Sequence, residues 1–316
     1  MKSDLKNVTI IGAGAWGSAL ASLVKTNHHH VQIWSRQSQI SLAEAVSESD
    51  AIISAASMKG VRSIAEKLQT AKLLPHTVLV SATKGLEPIT GQTPSQIWRS
   101  LIPDRPLVVL SGPNLSKEIM DGKPAATVVA STDEKAAQFI QNIFASRNFR
   151  VYTNSDPIGV ELGGTLKNVI AIAVGACDGL NLGTNAKSAL ITRSLIEIIR
   201  VGVYFGAQPE TFWGLSGLGD LLATCNSNLS RNYQVGYAIA QGKSLESAIA
   251  NVEGTAEGVN TANVLIEICD RQNISVPVSR YVYRLLKGEI TLQQAVEGLM
   301  ERDLKPENLE DLEAPV

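Results

Sequence analysis

The sequence predicts an α/β, doubly wound N-terminal half followed by an all-helical C-terminal half, and three observations carry that expectation. Short, mostly apolar β-rich runs alternate with helical segments as far as Thr153, the pattern of a parallel sheet buried on both faces. A glycine-dense turn joins the first run to the first helix. Beyond Pro157 the strand signal stops and helical periodicity takes over. A chain of 316 residues accommodates two such domains, 1–155 and 156–316, each large enough to bury a core without a disulfide or metal staple.

In chain order, the strand candidates are Val8–Ile11, Val31–Trp34, Ala51–Ala55, Val78–Ser81, Leu107–Leu110 and Thr127–Ala130, and Phe149–Thr153 closes the half. Gly17–Lys25 and Val61–Gln69 are helical pieces between them. Asn154-Ser155-Asp156-Pro157 then supplies helix-start punctuation. Ile158–Cys177, Ser188–Phe205, Arg231–Gln241, Asn260–Arg271 and Ser279–Leu286 have helical patterning and are separated by Gly-rich joints. Lys305–Val316, with four acids and two prolines, is expected to be a loosely held end.

Composition excludes several classes. Lys and Arg total 28 against 30 Asp and Glu, a net charge of −2, so neither general nucleic-acid binding nor a membrane-surface role is expected, and any anionic partner must be met by local residues. Cys177, Cys225 and Cys269 are odd in number and widely spaced, which suits a reducing compartment and fits no zinc pattern. Asn7 to Val24 is uncharged behind Lys2 and Lys6 and superficially resembles a secretory signal, but three glycines in a nucleotide-loop pattern sit inside it. No other run is expected to approach the ~20 apolar residues of a membrane helix. A soluble cytoplasmic protein without membrane insertion is the expectation; the oligomeric state stays open, a homodimer included.

Gly12-Ala13-Gly14-Ala15-Trp16-Gly17 follows the first strand and opens the first helix. Its glycines allow a tight turn, close approach of a pyrophosphate, and close helix-to-strand packing, while the helix N-terminus offers unpaired N–H donors. Dinucleotide binding is predicted; a glycine-rich packing turn is the alternative. At the end of the second strand, where an acid would meet a free ribose 2′-hydroxyl, the chain has Trp34-Ser35-Arg36. Arg36 suits a 2′-phosphate, so NADP is favoured over NAD, unless Arg36 is an ordinary solvated side chain. Thr83-Lys84-Gly85-Leu86-Glu87 and Ser111-Gly112-Pro113-Asn114 follow strands four and five at the ends where open α/β sheets bind ligands.

Lys167 is the single charged side chain between Leu162 and Cys177. Its ammonium is expected to be partly desolvated and able to exchange a proton near neutral pH, with open space over Gly163 and Gly164 one turn back; the alternative is a lysine reaching out of the helix. Asp220 ends Gly214-Leu215-Ser216-Gly217-Leu218-Gly219-Asp220, and Thr224 shares its face if a helix begins there; Asp220 as a plain N-cap is equally open. Ser230-Arg231-Asn232 precedes an amphipathic helix, where a cap, the helix dipole and a guanidinium together make an anion site, or an ordinary helix cap. His28-His29-His30 is expected to be a surface loop, since adjacent side chains do not converge on a metal.

Taken together, GAGAWG, ATKGLE, SGPN, ELGGTLKNVIAIAVG, GLGDLLATC and SRN resemble the bacterial NAD(P)-dependent glycerol-3-phosphate dehydrogenase family, in order from about residue 7 to 265. The resemblance implies a Rossmann-type sheet followed by an all-α domain of the 6-phosphogluconate dehydrogenase C-terminal type. It implies reversible reduction of dihydroxyacetone phosphate to sn-glycerol 3-phosphate for glycerophospholipid synthesis. Lys167 matches the family's proton-transfer residue, and Lys84, Gly112, Asp220, Ser230, Arg231 and Asn232 match substrate positions. Gly12, Gly14, Trp16, Gly17, Arg36, Lys84, Arg231 and Glu257 match cofactor positions; no metal is implied. Two departures stand out: a shortened segment between Arg36 and Asp50, and Asn114 where Ser or Thr is usual. Of the doubled Glu253-Gly254 and Glu257-Gly258, the later acid aligns with the Asn260-Thr261 that follows. The rival readings are a two-domain 3-hydroxyacid or sugar-acid dehydrogenase and a catalytically silent NADP sensor; a sensor has no need of a proton donor.

Overall fold

In the computed structural model, which describes residues 5–304, the first half runs β1 (Asn7–Ile11), α1 (Ala15–Thr26), β2 (His30–Trp34), α2 (Leu42–Val46), β3 (Ala51–Ser54), α3 (Met58–Gln69), β4 (Val78–Ser81), α4 (Pro94–Leu101), β5 (Leu107–Ser111), α5 (Ser116–Met120), β6 (Ala125–Ala130), α6 (Glu134–Phe144) and β7 (Phe149–Asn154). The helical half follows as α7 (Pro157–Gly179), α8 (Gly183–Tyr204), a 3₁₀ turn (Pro209–Trp213), a π segment (Leu215–Gly219), α9 (Asp220–Cys225), α10 (Arg231–Ala240), α11 (Leu245–Ala250), α12 (Glu257–Gln272), α13 (Pro277–Leu286) and α14 (Leu292–Met300). All seven expected strands form. Lys305–Val316, expected to be a loose end, lies outside the described residues.

The sheet order is β2-β1-β3-β4-β5-β6-β7, so the chain reverses direction of travel at β1, between β2 on one side and β3 on the other. In register, Ile10 lies beside Ile33 on β2 and Ile53 on β3, and the inner strands bury both faces. One layer, with α1 and α6, holds Val8, Ile10, Val80, Leu20 and Phe144; the other, with α3 and α4, holds Ile11, Ile52, Leu79, Leu68 and Trp98. Fully burying such side chains stabilises by about 1.5–3 kcal/mol each, which is why the inner strands tolerate so few polar residues.

One feature of the sheet departs from expectation. β6 runs antiparallel to β5, and β7 then pairs parallel with β6. The connection between β5 and β6 carries only the five-residue helix α5. The chain re-enters the sheet from the end at which β5 finished.

The fold divides into two compact units: residues up to Lys84 with Gln92–Glu161, and Gly85–Gly91 with the residues from Leu162 onward. The cut falls inside α7, while strand gives way to helix between Asn154 and Pro157. In the first unit Glu161 is buried and accepts from Ser81 Oγ at 3.0 Å, Ser95 N at 3.0 Å and Ser95 Oγ at 2.5 Å. In the second, Gly85 N–H donates to Thr165 Oγ1 at 3.1 Å. Contrary to expectation, α7 is long and apolar enough to span a membrane, but 94% of its apolar window is buried inside the protein: it is a core helix.

Candidate active site

The nucleotide loop uses three glycines for three different reasons. Gly12 has φ +120°, and a Cβ there would stand 2.8 Å from Ala55 O, at the β1–β3 switch. A Cβ on Gly17 would strike Gly12 O at 1.9 Å, so its hydrogen permits α1 to pack on the turn. Gly14 faces open space and is the N-cap of α1, which has no side-chain cap and no acid in its first turn. This is a cradle for an anionic backbone, with the helix N–H groups left to a ligand. Trp16 Nε1 donates to Ala82 O at 3.0 Å, tying the helix to the end of β4.

Around that cradle, the ends of β4 and β5 carry Lys84 and Gly112, and Lys84 Nζ lies 3.4 Å from Gly112 O. Gly112 has φ +149° and sits against Thr127 Cα, where a side chain would be strained. Asn114 turns its Nδ2 onto Thr127 Oγ1 at 2.8 Å. Arg36 is exposed in a tight turn after β2, held by Ser38 N to Ser35 O at 2.9 Å and Ser35 N to Ser38 Oγ at 2.9 Å. Trp34 Nε1 donates to Ile40 O at 3.0 Å and Ser41 with Glu44 forms a capping box, so the short segment after Arg36 is tightly built. The histidine triplet splits up. His28 is in the left-handed region, His29 is buried and accepts from Lys6 N at 3.3 Å, and His30 begins β2. Burial holds His29 below the usual histidine range, and no metal-binding group occurs among the described residues. The expected loop holds for His28 and His29, but His29 is buried rather than on the surface and His30 belongs to β2.

In the helical unit, Lys167, Asp220 and Thr224 converge. Lys167 Nζ donates to Asp220 Oδ1 and to Thr224 Oγ1, and all three are buried, at 5%, 1% and 4% exposure. The ammonium thus meets a counter-charge that orients it. The space expected over Gly163 is filled: a Cβ there would stand 2.7 Å from Ser216 O. Glycine in α7 lets the backbone of the π segment come close enough to deliver Asp220 to the lysine. Asp220 is already helical, at φ −72° and ψ −32°, behind a Gly219 that makes no side-chain cap, so the N-cap reading falls. The neighbouring Cys225 thiol is pushed up to about 12 by burial and is inert.

Ser230 caps α10 through Oγ, accepting from Tyr233 N at 3.3 Å. Arg231 is exposed beside Gly254, where a Cβ would stand 2.7 Å from its Nη1. Asn232 is buried, its Oδ1 accepting from Gly258 N at 3.0 Å, and Gly258 sits close under Asn168 O. Both Glu-Gly pairs therefore wrap the anion turn, the first against Arg231 and the second against Asn232, and Glu257 opens α12 beside them. Gly163 is expected only to leave space for Lys167, and Gly254 and Gly258 only to accompany the two acids; their close backbone approaches, and the part of Asn168, leave no side-chain signal.

The family model described as the NAD-dependent glycerol-3-phosphate dehydrogenase C-terminus matches residues 156–297, and that of the N-terminus matches 7–41 and 37–137, two pieces that meet in the segment just after Arg36. The chain is 64% identical over 300 residues to a glycerol-3-phosphate dehydrogenase [NAD(P)+] of Synechocystis, covering 95% of each, and 61% identical to that of Trichormus variabilis, covering 95% of this chain and 98% of the relative. Among solved structures it resembles the glycerol-3-phosphate dehydrogenase of Coxiella burnetii, with a TM-score of 0.90 at 30% identity over 94% of this chain and 99% of that one.

Proposed function

The chain belongs to the NAD-dependent glycerol-3-phosphate dehydrogenase family, and from that premise we propose how its own residues perform the reaction. The reaction is the interconversion of dihydroxyacetone phosphate and sn-glycerol 3-phosphate with NAD(P)H, which supplies glycerol 3-phosphate for glycerophospholipid synthesis. Bound NAD(P)H supplies the hydride. Lys167 donates the proton that the carbonyl oxygen takes as it becomes a hydroxyl, and recovers it in the reverse direction. Asp220 and Thr224 keep the ammonium aimed. Ser230, Arg231 and Asn232 hold the phosphate at the first turn of α10, with Lys84 and Gly112 as further substrate contacts. Gly12, Gly14, Trp16, Gly17, Lys84, Arg231 and Glu257 hold the dinucleotide.

The single observation that carries this reading is the buried Lys167–Asp220–Thr224 cluster, a charged group kept where an apolar helix would otherwise have none. For the cofactor we propose a preference for NADPH, since Arg36 is exposed at the end of β2 and Ser35, in place of an acid, is absorbed in its turn. We place the protein in the cytoplasm, on three buried free thiols and a core-buried α7. We propose a homodimer, on an apolar groove of about 540 Å³ between α7, α8, α13 and α14 that leaves Met300 exposed. Sedimentation checks it, and a monomer would overturn it. Turnover of dihydroxyacetone phosphate with NADPH and with NADH, beside acetoacetyl and hydroxyacid substrates, tests the whole reading. Faster turnover of a hydroxyacid pair would defeat it.

A further inference from the structure

About three turns beyond Lys167, α7 carries part of a second set of polar side chains that the reaction as derived does not use. Asp178, at the end of α7, accepts through Oδ2 from the Tyr233 hydroxyl at 2.7 Å and from Lys187 Nζ, near the start of α8, at 2.7 Å. Lys187 Nζ also stands 5.8 Å from the centre of the Tyr233 ring, which stacks on Tyr237. Tyr233 is the residue whose N–H Ser230 caps. One side chain therefore joins the anion turn to the helix that carries Lys167.

The join matters because of how the two helices meet. A Cβ on Gly175 would stand 2.0 Å from Tyr233 O, and one on Gly236 would stand 1.9 Å from Ile172 O. Contact through glycine brings backbones together but provides no ridges and grooves to resist rotation about the helix axis. A directional, charge-assisted hydrogen bond does resist it. The Tyr233 phenol is kept protonated, and so a donor, by burial and by the Asp178 carboxylate, both of which push it well above its usual range.

We infer that Tyr233, Asp178 and Lys187 form a positioning network that sets the turn Ser230–Asn232 relative to Lys167 and so determines how tightly the substrate phosphate is held. The inference rests on the reading of that turn as the phosphate clamp. Tyr233→Phe removes one hydroxyl and keeps the ring contacts. It should raise KM for dihydroxyacetone phosphate about five- to tenfold and leave kcat within about threefold. The constant for competitive inhibition by inorganic phosphate should rise in parallel. Asp178→Asn, whose amide oxygen still accepts from the phenol, should show a smaller rise, and the double variant no more than Tyr233→Phe alone. An unchanged KM in Tyr233→Phe overturns the network, as does an equal loss in kcat and every KM together with a lowered Tm, which would mark a merely structural contact. Arg231→Ala separates the two ideas: if it leaves KM unchanged, the clamp fails, whereas if it raises KM and Tyr233→Phe does not, the network alone fails.

Discussion

Lys167 is held by two neighbours that reach it from a different helix, and each can be tested separately. Lys167→Ala should lower kcat by about 10²–10⁴-fold, the usual contribution of a general acid, while NADPH binding followed by fluorescence is retained. Because that variant leaves Asp220 buried without its cation, Lys167→Met combined with Asp220→Asn is the appropriate check that the loss is chemical rather than a failure to fold. A fall in kcat below about threefold, which is under 1 kcal/mol of barrier, would remove the lysine from the mechanism. Arg36 acts at the same scale but on the cofactor. A charge-assisted contact with a 2′-phosphate contributes about 1.5–3 kcal/mol, so Arg36→Ala should raise KM for NADPH about ten- to a hundredfold and change KM for NADH little. Equal losses with both cofactors would make Arg36 a surface residue.

At the scale of elements, the glycines that bring α7 against the π segment are the feature most open to a contrast. In Gly163→Ala the new methyl would stand 2.7 Å from Ser216 O, a backbone atom that cannot move without moving Asp220. We expect a loss of about 1–3 kcal/mol in urea unfolding and a lower kcat in the surviving enzyme. Gly60→Ala, in α3 with nothing closer than Ile64 Cδ1 at 3.6 Å, should gain up to about 1 kcal/mol of helix propensity and leave activity alone. If both variants behave alike, the close approach is not what places the carboxylate. The same contrast explains what the sequence made legible. β1, β3, β4 and β5 are mostly apolar runs, and α7 and α12 repeat apolar residues over several turns, so these elements are plain on inspection. Direction is not encoded in an apolar run, which is why the antiparallel β6 came as a correction. The π segment, five residues with two glycines, and α9, six residues, are too short to show the periodicity that marks a helix, whereas α14 does repeat apolar Leu292, Ala295, Val296 and Leu299 at helical spacing. At the site, Lys167 and Asp220 announce themselves by charge in apolar or glycine-rich surroundings. Asp178 and Tyr233 are 55 residues apart and have ordinary neighbours in the chain, so only the fold joins them.

For the molecule as a whole, stability should depend on pH through two carboxyl groups that the fold buries without a cation at hydrogen-bond distance among the described residues. Glu161 accepts from serines 81 and 95 in the first unit, and Glu197 accepts from Val278 N at 2.6 Å and Ser279 N and Oγ at 3.0 Å in the second, where it holds the first turn of α13. Burial outweighs these hydrogen bonds in both: it raises Glu161 above the carboxylate range and pushes Glu197 up to about 7. A carboxyl raised in the folded state keeps its proton after the unfolded chain has lost it, so its contribution is complete below about 4.5 and disappears as pH climbs through the folded value. For Glu197 the window runs from about 4.5 to 7, and the contribution at stake is about 3 kcal/mol. Urea unfolding of the wild type should therefore weaken from pH 5 to pH 8. Glu197→Gln keeps an oxygen acceptor for the α13 turn and carries no titrating proton, so its stability relative to wild type should rise across the same interval, with most of the change complete by about pH 7. Parallel pH profiles for the two proteins would mean that Glu197 is already ionised at pH 5 and that its three donors outweigh the burial.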